Sequence, residues 1–333
     1  MNKRIIALLF VVFCLFITAC TNNTGKDSDV NQDENHIIID TDTDKTNESV
    51  GSDSSVYSAL FSPSYIKKDC SIVLTDSSLS VSGFVFNNPS IQNVDSFIYV
   101  NDNLFVVAEE GISRYANYDE EELAEYVGDY SVITEALNQL NTKDKIRYFS
   151  KEWLFGDTLL RPKLYAFTDS GKCMRVSFEG KTEEIGNDIT YIIDENGHIV
   201  TLYKNGTVND NCSGNDTSLW SDIVFIDTNR TDGAGITVGV DNEGRVFVAG
   251  DYMHDISEIE NWHDVLYAIV IDVYTDQYPI ALSKNGTVLV PSDCGCSFAD
   301  KVSEWSNVIE IGLTCPDGIL WGRLENGDVL FAE

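Results

Sequence analysis

The carboxyl-terminal half of the chain repeats itself with a period of about 42 residues. Each copy begins with a tryptophan, has Asp or Asn two residues later and continues with a short apolar run; the tryptophans are Trp220, Trp262 and Trp305. Repeats of this length are typical of folds in which one small unit cannot bury both of its faces and therefore packs against its neighbours. No other feature of the sequence constrains the fold as strongly.

A second repeated element lies between the tryptophans, at nearly the same distance after each of them. It consists of an apolar strand, a turn with glycine and an alternating strand, and its copies centre on Gly244, Gly286 and Gly327. Glycine supplies the positive φ that such turns require. Weaker copies centre on Gly197 and Gly171, only 26 residues apart, which predicts that one unit there is shortened or lacks its tryptophan strand. Three or four short strands at this period predict an all-β chain, a β-propeller of about six to seven blades.

These motifs resemble the bacterial repeats of the regulator of chromosome condensation family, also called alpha-tubulin-suppressor-like repeats. The resemblance is good over residues 187 to 333 and weaker over 150 to 186. It implies a propeller, usually of seven blades, and one relative is a secreted β-lactamase inhibitor. The chain departs from the family because the usual Gly-x-Asn and Gly-Gln loop residues are missing, with residues 250 to 252 as the nearest remnant. A particular partner is therefore not carried over.

The segment before residue 150 contains further strand-like runs that would supply more blades. They comprise residues 70 to 75, 79 to 86, 97 to 100 and 104 to 108. Because the chain ends on a strand, we expect one N-terminal strand to complete the last blade and close the ring.

Residues 119 to 140 break the strand pattern and predict a small helical insertion. Four acidic residues begin the segment, where they favour a helix N-terminus. Gly128 splits it, and Ile133, Leu137 and Leu140 mark one apolar face of the second half. We expect this helix to pack against the side of the propeller.

The N-terminus is typical of an exported chain. Lys3 and Arg4 precede an apolar run from residue 5 to 17, which is shorter than the about 20 residues that a membrane span needs and has the length of a signal peptide. Residues 17 to 20 resemble the lipobox of bacterial lipoprotein precursors, in which the cysteine, here Cys20, is lipidated and becomes the first mature residue.

This resemblance gives the domain organisation. Residues 1 to 19 are predicted as the lipoprotein signal peptide, and residues 20 to 55 as the lipidated Cys20 with a polar, acidic, disordered tether. Residues 56 to 333 form the propeller. The protein is therefore expected outside the cytoplasm, held at the cell membrane by its lipid anchor.

The charge balance restricts the partners. The chain has 54 Asp and Glu against 22 Lys and Arg, a formal net charge of -32. Such a surface repels phosphate backbones, so a nucleic-acid partner is excluded. Cationic partners and divalent ions remain compatible with it.

Six cysteines follow Cys20, at positions 70, 173, 212, 294, 296 and 315. An even number permits three disulfides in an oxidising compartment, and reduced core cysteines are an equal alternative. Cys294, Cys296 and Cys315 would give zinc three thiolates where it usually takes four ligands, so no metal is predicted.

No catalytic motif or cofactor site is found. The chain has no nucleophile elbow, zincin His-Glu pair or phosphate loop. Asp40, Asp42 and Asp44 begin like a calcium loop, but Lys45 and Gly51 occupy the positions that need glycine and glutamate. The recurring tryptophans are predicted as core residues. The chain is therefore predicted not to be an enzyme.

Function is predicted on the loops, which vary above a rigid ring. The candidate loops are residues 228 to 235, 251 to 258 and 291 to 297, and the candidate binding residues are Asn229, Arg230, Asp232, Tyr252, His254 and Asp293. We predict a non-catalytic propeller that binds a protein or cell-wall component. The alternative is an extracytoplasmic enzyme acting on carbohydrate or peptidoglycan, which would have Asp or Glu of raised pKa in the central channel.

Overall fold

The computed structural model describes residues 63–67, 70–84, 90–100, 103–116, 130–150, 163–195, 197–231, 234–250, 256–273, 276–314 and 318–332. The chain divides into two compact units, Met1–Ser49 and Val50–Glu333, and all described residues belong to the second. The predicted signal peptide, Cys20 and the tether therefore lie outside the described residues.

Seven small antiparallel sheets follow one another along this unit, each made of strands consecutive in sequence. The first two sheets contain β1 (Tyr65–Lys67), β2 (Cys70–Thr75), β3 (Ser78–Ser82) and β4 (Ser90–Gln92), then β5 (Val94–Val100), β6 (Asn103–Ala108) and β7 (Gly111–Ala116). The next two contain β8 (Ile146–Phe149), β9 (Leu164–Thr168), β10 (Cys173–Val176) and β11 (Thr182–Gly186), then β12 (Ile189–Glu195), β13 (His198–Tyr203) and β14 (Val208–Asp210). The last three contain β15 (Ile223–Thr231), β16 (Ala234–Asp241) and β17 (Val246–Ala249), then β18 (Val265–Val273), β19 (Asp276–Ser283) and β20 (Val288–Leu289), and finally β21 (Val308–Leu313), β22 (Leu320–Leu324) and β23 (Val329–Phe331).

This arrangement is a β-propeller, and its seven sheets are the upper number of blades expected from the sequence. First strands of successive sheets contact each other, as β15 and β18 do. Because neighbouring sheets pack face to face, an inner strand is buried on both faces, and β18 is buried without interruption from Val265 to Ile271. One continuous apolar core runs through the last four sheets. The strand-like runs predicted upstream are confirmed as β2 and parts of β3, β5 and β6.

The recurring tryptophans belong to this core, as predicted. Trp220, Trp262 and Trp305 are all buried. Trp220 packs against Gly239, where an added Cβ would lie 2.8 Å from the ring, and Trp305 packs against Gly322 in the same way, at 2.9 Å. The tryptophan thus fills the space that a glycine in the second strand of its own sheet leaves open.

The other repeated residues form the joint between one sheet and the next. The turn glycine at the end of each second strand accepts a hydrogen bond from the first strand of the following sheet; the pairs are Gly206 with Ile223, Gly244 with Val265, and Gly286 with Val308, at 3.0, 3.1 and 3.0 Å. The residue before each donor has positive φ; these are Asp222, Asp264 and Asn307. Asp and Asn tolerate this conformation better than other residues with a side chain, which explains the residue type two places after each tryptophan.

One of the weaker copies in the sequence was assigned to the wrong turn. Gly197 lies between β12 and β13, the first turn of its sheet, whereas Gly244 lies in the second turn of the next sheet. The true equivalent is Gly206, within a run from residue 202 to 208 that nearly repeats residues 282 to 288. The 26-residue spacing therefore does not indicate a shortened unit, because both turns of this sheet contain a positive-φ glycine.

The predicted insertion is an α-helix, α1 (Tyr130–Lys143), between the second and third sheets. Ile133, Leu137 and Leu140 are buried, which confirms the predicted apolar face. They share a core with residues of the second and third sheets, so the helix packs against the propeller as expected. The start of the predicted helix, residues 119 to 129, lies outside the described residues.

A side chain of α1 also binds β7. The amide of Asn138 accepts a hydrogen bond from the N–H of Ile112 and donates one to its carbonyl group, both at 3.0 Å. Asn138 therefore satisfies both backbone groups of Ile112 as a neighbouring strand would, and so protects an exposed sheet edge.

The described residues show one contact between the two ends of the propeller. The first described strand, β1, pairs with β2, and in the described part of the chain the last sheet contains only β21, β22 and β23. The expected N-terminal strand of the last blade is not among the described residues, and residues before 63 lie outside them. Ser64, just before β1, donates its N–H and its Oγ to the carboxylate of Glu310 in β21, at 2.9 and 2.8 Å.

Glu310 belongs to a charged pair at a register position where the fourth, fifth and sixth sheets have an aromatic residue opposite an aliphatic one. Glu310 is opposite Arg323, whereas Phe225 is opposite Val240 in the fifth sheet. Arg323 donates to Glu310 Oε2 through Nε at 2.9 Å and Nη2 at 2.6 Å. The departure of Arg323 from the repeat pattern is thus explained by its buried partner on the neighbouring strand.

Two short helices lie in the segments between the last three sheets, α2 (Ser257–Glu260) and α3 (Ala299–Ser303). Within the described ranges, no helix is both long and apolar enough to cross a membrane.

Candidate functional site: the loop face

The strand order gives every sheet two different ends. At the end that we call the joint face, the second strand turns into the third and the first strand begins. At the opposite end, the loop face, the first strand turns into the second, and in the five three-stranded sheets the third strand leaves there for the next sheet. In the two four-stranded sheets the fourth strand returns to the joint face. In the fifth sheet, Gly250 at the exit of β17 accordingly packs against Gly235 at the start of β16. The described parts of the three loops predicted to bind lie at the loop face; they are residues 228–231, 234–235, 256–258 and 291–297.

Of the six predicted binding residues, only Asp293 has a described side chain. Asp293 is exposed on the segment between β20 and α3. Asn229 and Arg230 lie in β15, beside its turn, with side chains outside the described set. Asp232, Tyr252 and His254 lie outside the described residues.

Two of the predicted loops are bonded to each other. Ser292 donates its N–H and its Oγ to Oε2 of Glu258, at 3.0 and 2.6 Å. Nearby, the N–H of Ile236 donates to Oε1 of Gln277 at 2.8 Å, which links the first turns of the fifth and sixth sheets. The loops therefore form one connected surface across neighbouring blades.

The segment from residue 291 to 297 is also closed covalently. The sulfurs of Cys294 and Cys296 are bonded to each other, and both residues are buried. The N–H of Gly295 donates a hydrogen bond to the hydroxyl oxygen of Tyr278 in β19. This segment is thus attached to the sheet beneath it while Asp293 remains exposed.

The remaining cysteines exclude the arrangement of three disulfides. Cys173 and Cys212 carry free thiols. Burial raises the pKa of the Cys173 thiol to about 12, so this thiol stays protonated and unreactive at neutral pH. Cys315 lies outside the described residues.

A buried polar network supports the loop face between the fourth and fifth sheets. Asp210, at the end of β14, is hydrogen-bonded to His198 Nε2 at 2.7 Å and accepts from Thr237 Oγ1 at 2.5 Å. It also accepts from the Asn215 side chain and from the N–H of Cys212, both at 2.8 Å. Burial raises the pKa of Asp210, but these hydrogen bonds outweigh it and the pKa is lowered overall.

The sequence did not indicate this network. Neither His198 nor Asp210 belongs to a motif that predicts a site. The available signal was Thr237, a polar residue in an otherwise apolar strand, and its partner belongs to another blade. His198 Nδ1 is buried and has no hydrogen-bond partner in the part of the chain that the structure describes.

Hydrogen bonds lower the pKa of three described carboxyl groups, Asp144, Asp210 and Asp216. At Asp144 burial raises the pKa, but hydrogen bonds from Ser170 and Thr168 lower it by more. At Asp216 the hydrogen bonds of Ser218 lower it. At these three groups the shift is opposite to the raised pKa expected of an acid in the carbohydrate-directed enzyme.

The described residues also contain no group of three or more His, Cys, Asp or Glu side chains placed to hold a metal ion. Asp40, Asp42 and Asp44, which begin like a calcium loop, lie outside the described ranges.

Comparison with known proteins gives similarity at the level of structure alone. No protein-family profile matches the chain, and no curated protein matches it in sequence. BBS1N, solved in complex with ARL6DN, is 13% identical with a TM-score of 0.44, over 82% of this chain and 92% of that chain. PorZ, a surface component of the type-IX secretion system of Porphyromonas gingivalis, is 12% identical with a TM-score of 0.43, over 82% of this chain and 37% of that one. A streptogramin B lyase is 8% identical with a TM-score of 0.40, over 82% of this chain and 94% of that one.

Proposed function

We propose that this chain is a lipid-anchored extracytoplasmic protein whose propeller binds a protein or cell-wall component through its loop face, without catalysis. The observation that carries the proposal is the difference between the two faces. At the three joints between the last four sheets, the repeated glycine and the Asp or Asn with positive φ join the sheets at the joint face. The loop face carries irregular segments bonded to one another, such as Ser292 with Glu258, and such loops on a rigid ring are where binding functions concentrate.

The charge of the chain indicates the kind of partner. The formal net charge of -32 disfavours anionic surfaces and favours a partner with basic groups. Asp293 and Glu260 are exposed acidic residues beside the two bonded loops. We therefore propose a cationic partner surface. The resemblance of the repeats to the regulator of chromosome condensation family supports a binding role but selects no partner.

The lipid anchor is tested by replacing Cys20. We expect the Cys20→Ala protein to be lost from washed membranes and to appear in the soluble or secreted fraction, because the acyl chains supply most of the membrane affinity. The measurement is immunoblotting of fractions from cells of the source organism, with Cys212→Ala as the matched cysteine control. Recovery of Cys20→Ala in the membrane pellet at the wild-type level would contradict the anchor.

The binding surface is tested by charge reversal on opposite faces. We expect Asp293→Lys to reduce capture of the partner at least five-fold, because it places a positive charge against a cationic surface. Glu325→Lys, an exposed change of the same charge in the joint-face turn between β22 and β23, should leave capture unchanged. The measurement is quantitative capture from solubilised envelope proteins and isolated wall polysaccharide by the purified full chain, at several salt concentrations.

Three outcomes distinguish the alternatives. A protein retained by wild type and lost with Asp293→Lys supports the proposal. Retention on wall polysaccharide followed by its cleavage would replace the proposal with the carbohydrate-directed enzyme. Equal loss with Asp293→Lys and Glu325→Lys would show that the loop face is not the binding surface.

A further inference from the structure

The Cys294–Cys296 disulfide lies at the loop face just below the surface. Both cysteines are buried, at 8% and 7% exposure, while Ser292, Asp293 and Gly295 beside them are exposed. The bond is therefore separated from solvent only by a short segment without helix or strand. Local opening of such a segment needs far less free energy than unfolding of a sheet.

The bond has little to contribute to the stability of the fold. A disulfide stabilises mainly by restricting the unfolded chain, and this effect grows with the number of residues that it encloses. Cys294 and Cys296 enclose a single residue, Gly295, so the restriction is near its minimum. The segment is also held without the bond, through the contacts of Ser292 with Glu258 and of Gly295 with Tyr278.

The residue between the cysteines supports a role for local movement. Most of the described glycines have positive φ or lie where an added Cβ would collide with a neighbouring atom. Gly295 has neither property. An added Cβ at Gly295 would meet nothing within 4 Å. Neither space nor the observed φ requires glycine here, whereas a ring that opens and closes over one residue benefits from its conformational freedom.

The fold keeps the two sulfurs near each other if the bond is broken. The N–H of Cys294 donates to the carbonyl of Pro291 at 3.0 Å, and the carbonyl of Cys296 accepts from the N–H of Ala299 at 3.2 Å. These bonds fix the backbone before and after Gly295 independently of the sulfurs. The reduced cysteines would remain neighbours, so the bond can re-form within the same chain.

From these observations we propose that Cys294 and Cys296 form an exchangeable, two-electron disulfide site that reacts with dithiols of the extracytoplasmic space. One thiolate of the dithiol attacks one sulfur, forming a mixed disulfide and releasing the other cysteine as a thiolate. The second thiol of the dithiol then breaks the mixed disulfide. The dithiol leaves as a disulfide, and two electrons and two protons remain on Cys294 and Cys296. This site goes beyond the proposed binding function.

The test measures the thiols of the folded full chain. The protein is purified in mild detergent without reductant and equilibrated with mixtures of reduced and oxidised dithiothreitol. Dithiothreitol is then removed by rapid gel filtration, and the folded protein is labelled with a maleimide at neutral pH and analysed by peptide mass spectrometry. We expect labels on Cys294 and Cys296 to rise together from none to two per chain, and to be lost again after reoxidation. Near-ultraviolet circular dichroism should stay native throughout, because the buried tryptophans do not move.

Controls within the same chain make the result decisive. Cys173 should stay unlabelled in every native sample, because its thiol is buried, so its labelling reports unfolding. In Cys296→Ser, Cys294 should be labelled without any reductant. The proposal is overturned if both thiols are labelled under every oxidised condition, if only one of them responds, or if labelling appears only together with that of Cys173. None of these readouts needs a binding partner, so they are independent of the capture experiment.

Discussion

Replacing Gly206 by alanine is expected to lower the free energy of unfolding by about 3 kcal/mol. Gly206 has a φ of 78°, and an added Cβ would lie 2.7 Å from the Cα and 2.8 Å from the nitrogen of Asp222 in the next blade. The left-handed conformation costs a residue with a side chain about 1 to 2 kcal/mol, and overpacking adds about 1 to 3 kcal/mol. The colliding atoms are backbone atoms, so no rotamer change relieves them. Urea unfolding followed by tryptophan fluorescence measures the loss.

The last blade supplies the matched control. Gly327 occupies the equivalent turn with a φ of 90°, but an added Cβ there would meet nothing within 4 Å. Gly327→Ala is therefore expected to cost only the conformational term, about 1 to 2 kcal/mol. Equal losses for Gly206→Ala and Gly327→Ala would show that close packing at the joint does not explain the repeated glycine.

The fold class could be predicted from the sequence because the three joints between the last four sheets use the same residue types. At each of them a glycine approaches the backbone of the next sheet, and an Asp or Asn such as Asp264 has positive φ. The buried tryptophans recur for the same reason. Between the first two sheets Asn93 has the positive φ, but Ser77 replaces the glycine as the acceptor of the hydrogen bond from Val94. There the pattern indicated strands but not their assembly into blades.

It was harder to predict which turn of the fourth sheet corresponds to the repeated glycine turn. Both turns of the fourth sheet end in a glycine with positive φ, Gly197 and Gly206, and both follow apolar strands. Strand pattern and turn residue are therefore the same for the two. Only the next sheet distinguishes them, because the carbonyl of Gly206 binds Ile223 across the joint.

The candidate site was predictable only as a set of loops. Their assignment to one face follows from the antiparallel order, once three strands are assigned to each sheet. The bond of Ser292 with Glu258 and the network of His198 with Asp210 depend on residues that other blades or distant segments supply. Single positions of this kind have no periodicity, so the repeat contains no signal for them.

Truncation of Glu310 is expected to cost about 3 to 5 kcal/mol, because it leaves a largely buried positive charge without its partner. Glu310 is 2% exposed, and the side chain of Arg323 is 15% exposed. Glu310→Ala also removes the acceptor of both hydrogen bonds from Ser64, which join the first blade to the last. The free energy of unfolding should fall, and amide hydrogen exchange should accelerate first in β1 and β21.

The exposed pair of Lys172 and Glu184 is the control, since Lys172→Ala should lower the free energy of unfolding by at most about 1 kcal/mol.

A double variant separates the buried charge from the closure of the ring. Glu310→Phe with Arg323→Val copies the opposed pair of Phe225 and Val240 in the fifth sheet. Replacing a buried ion pair by apolar side chains is often neutral, so we expect the double variant to regain more than half of the stability that Glu310→Ala loses. Exchange in β1 should nevertheless stay fast, because Ser64 has lost its acceptor. Wild-type protection of β1 in the double variant would show that packing, and not the carboxylate of Glu310, closes the ring. A loss below about 1 kcal/mol in Glu310→Ala would contradict the role of the ion pair itself.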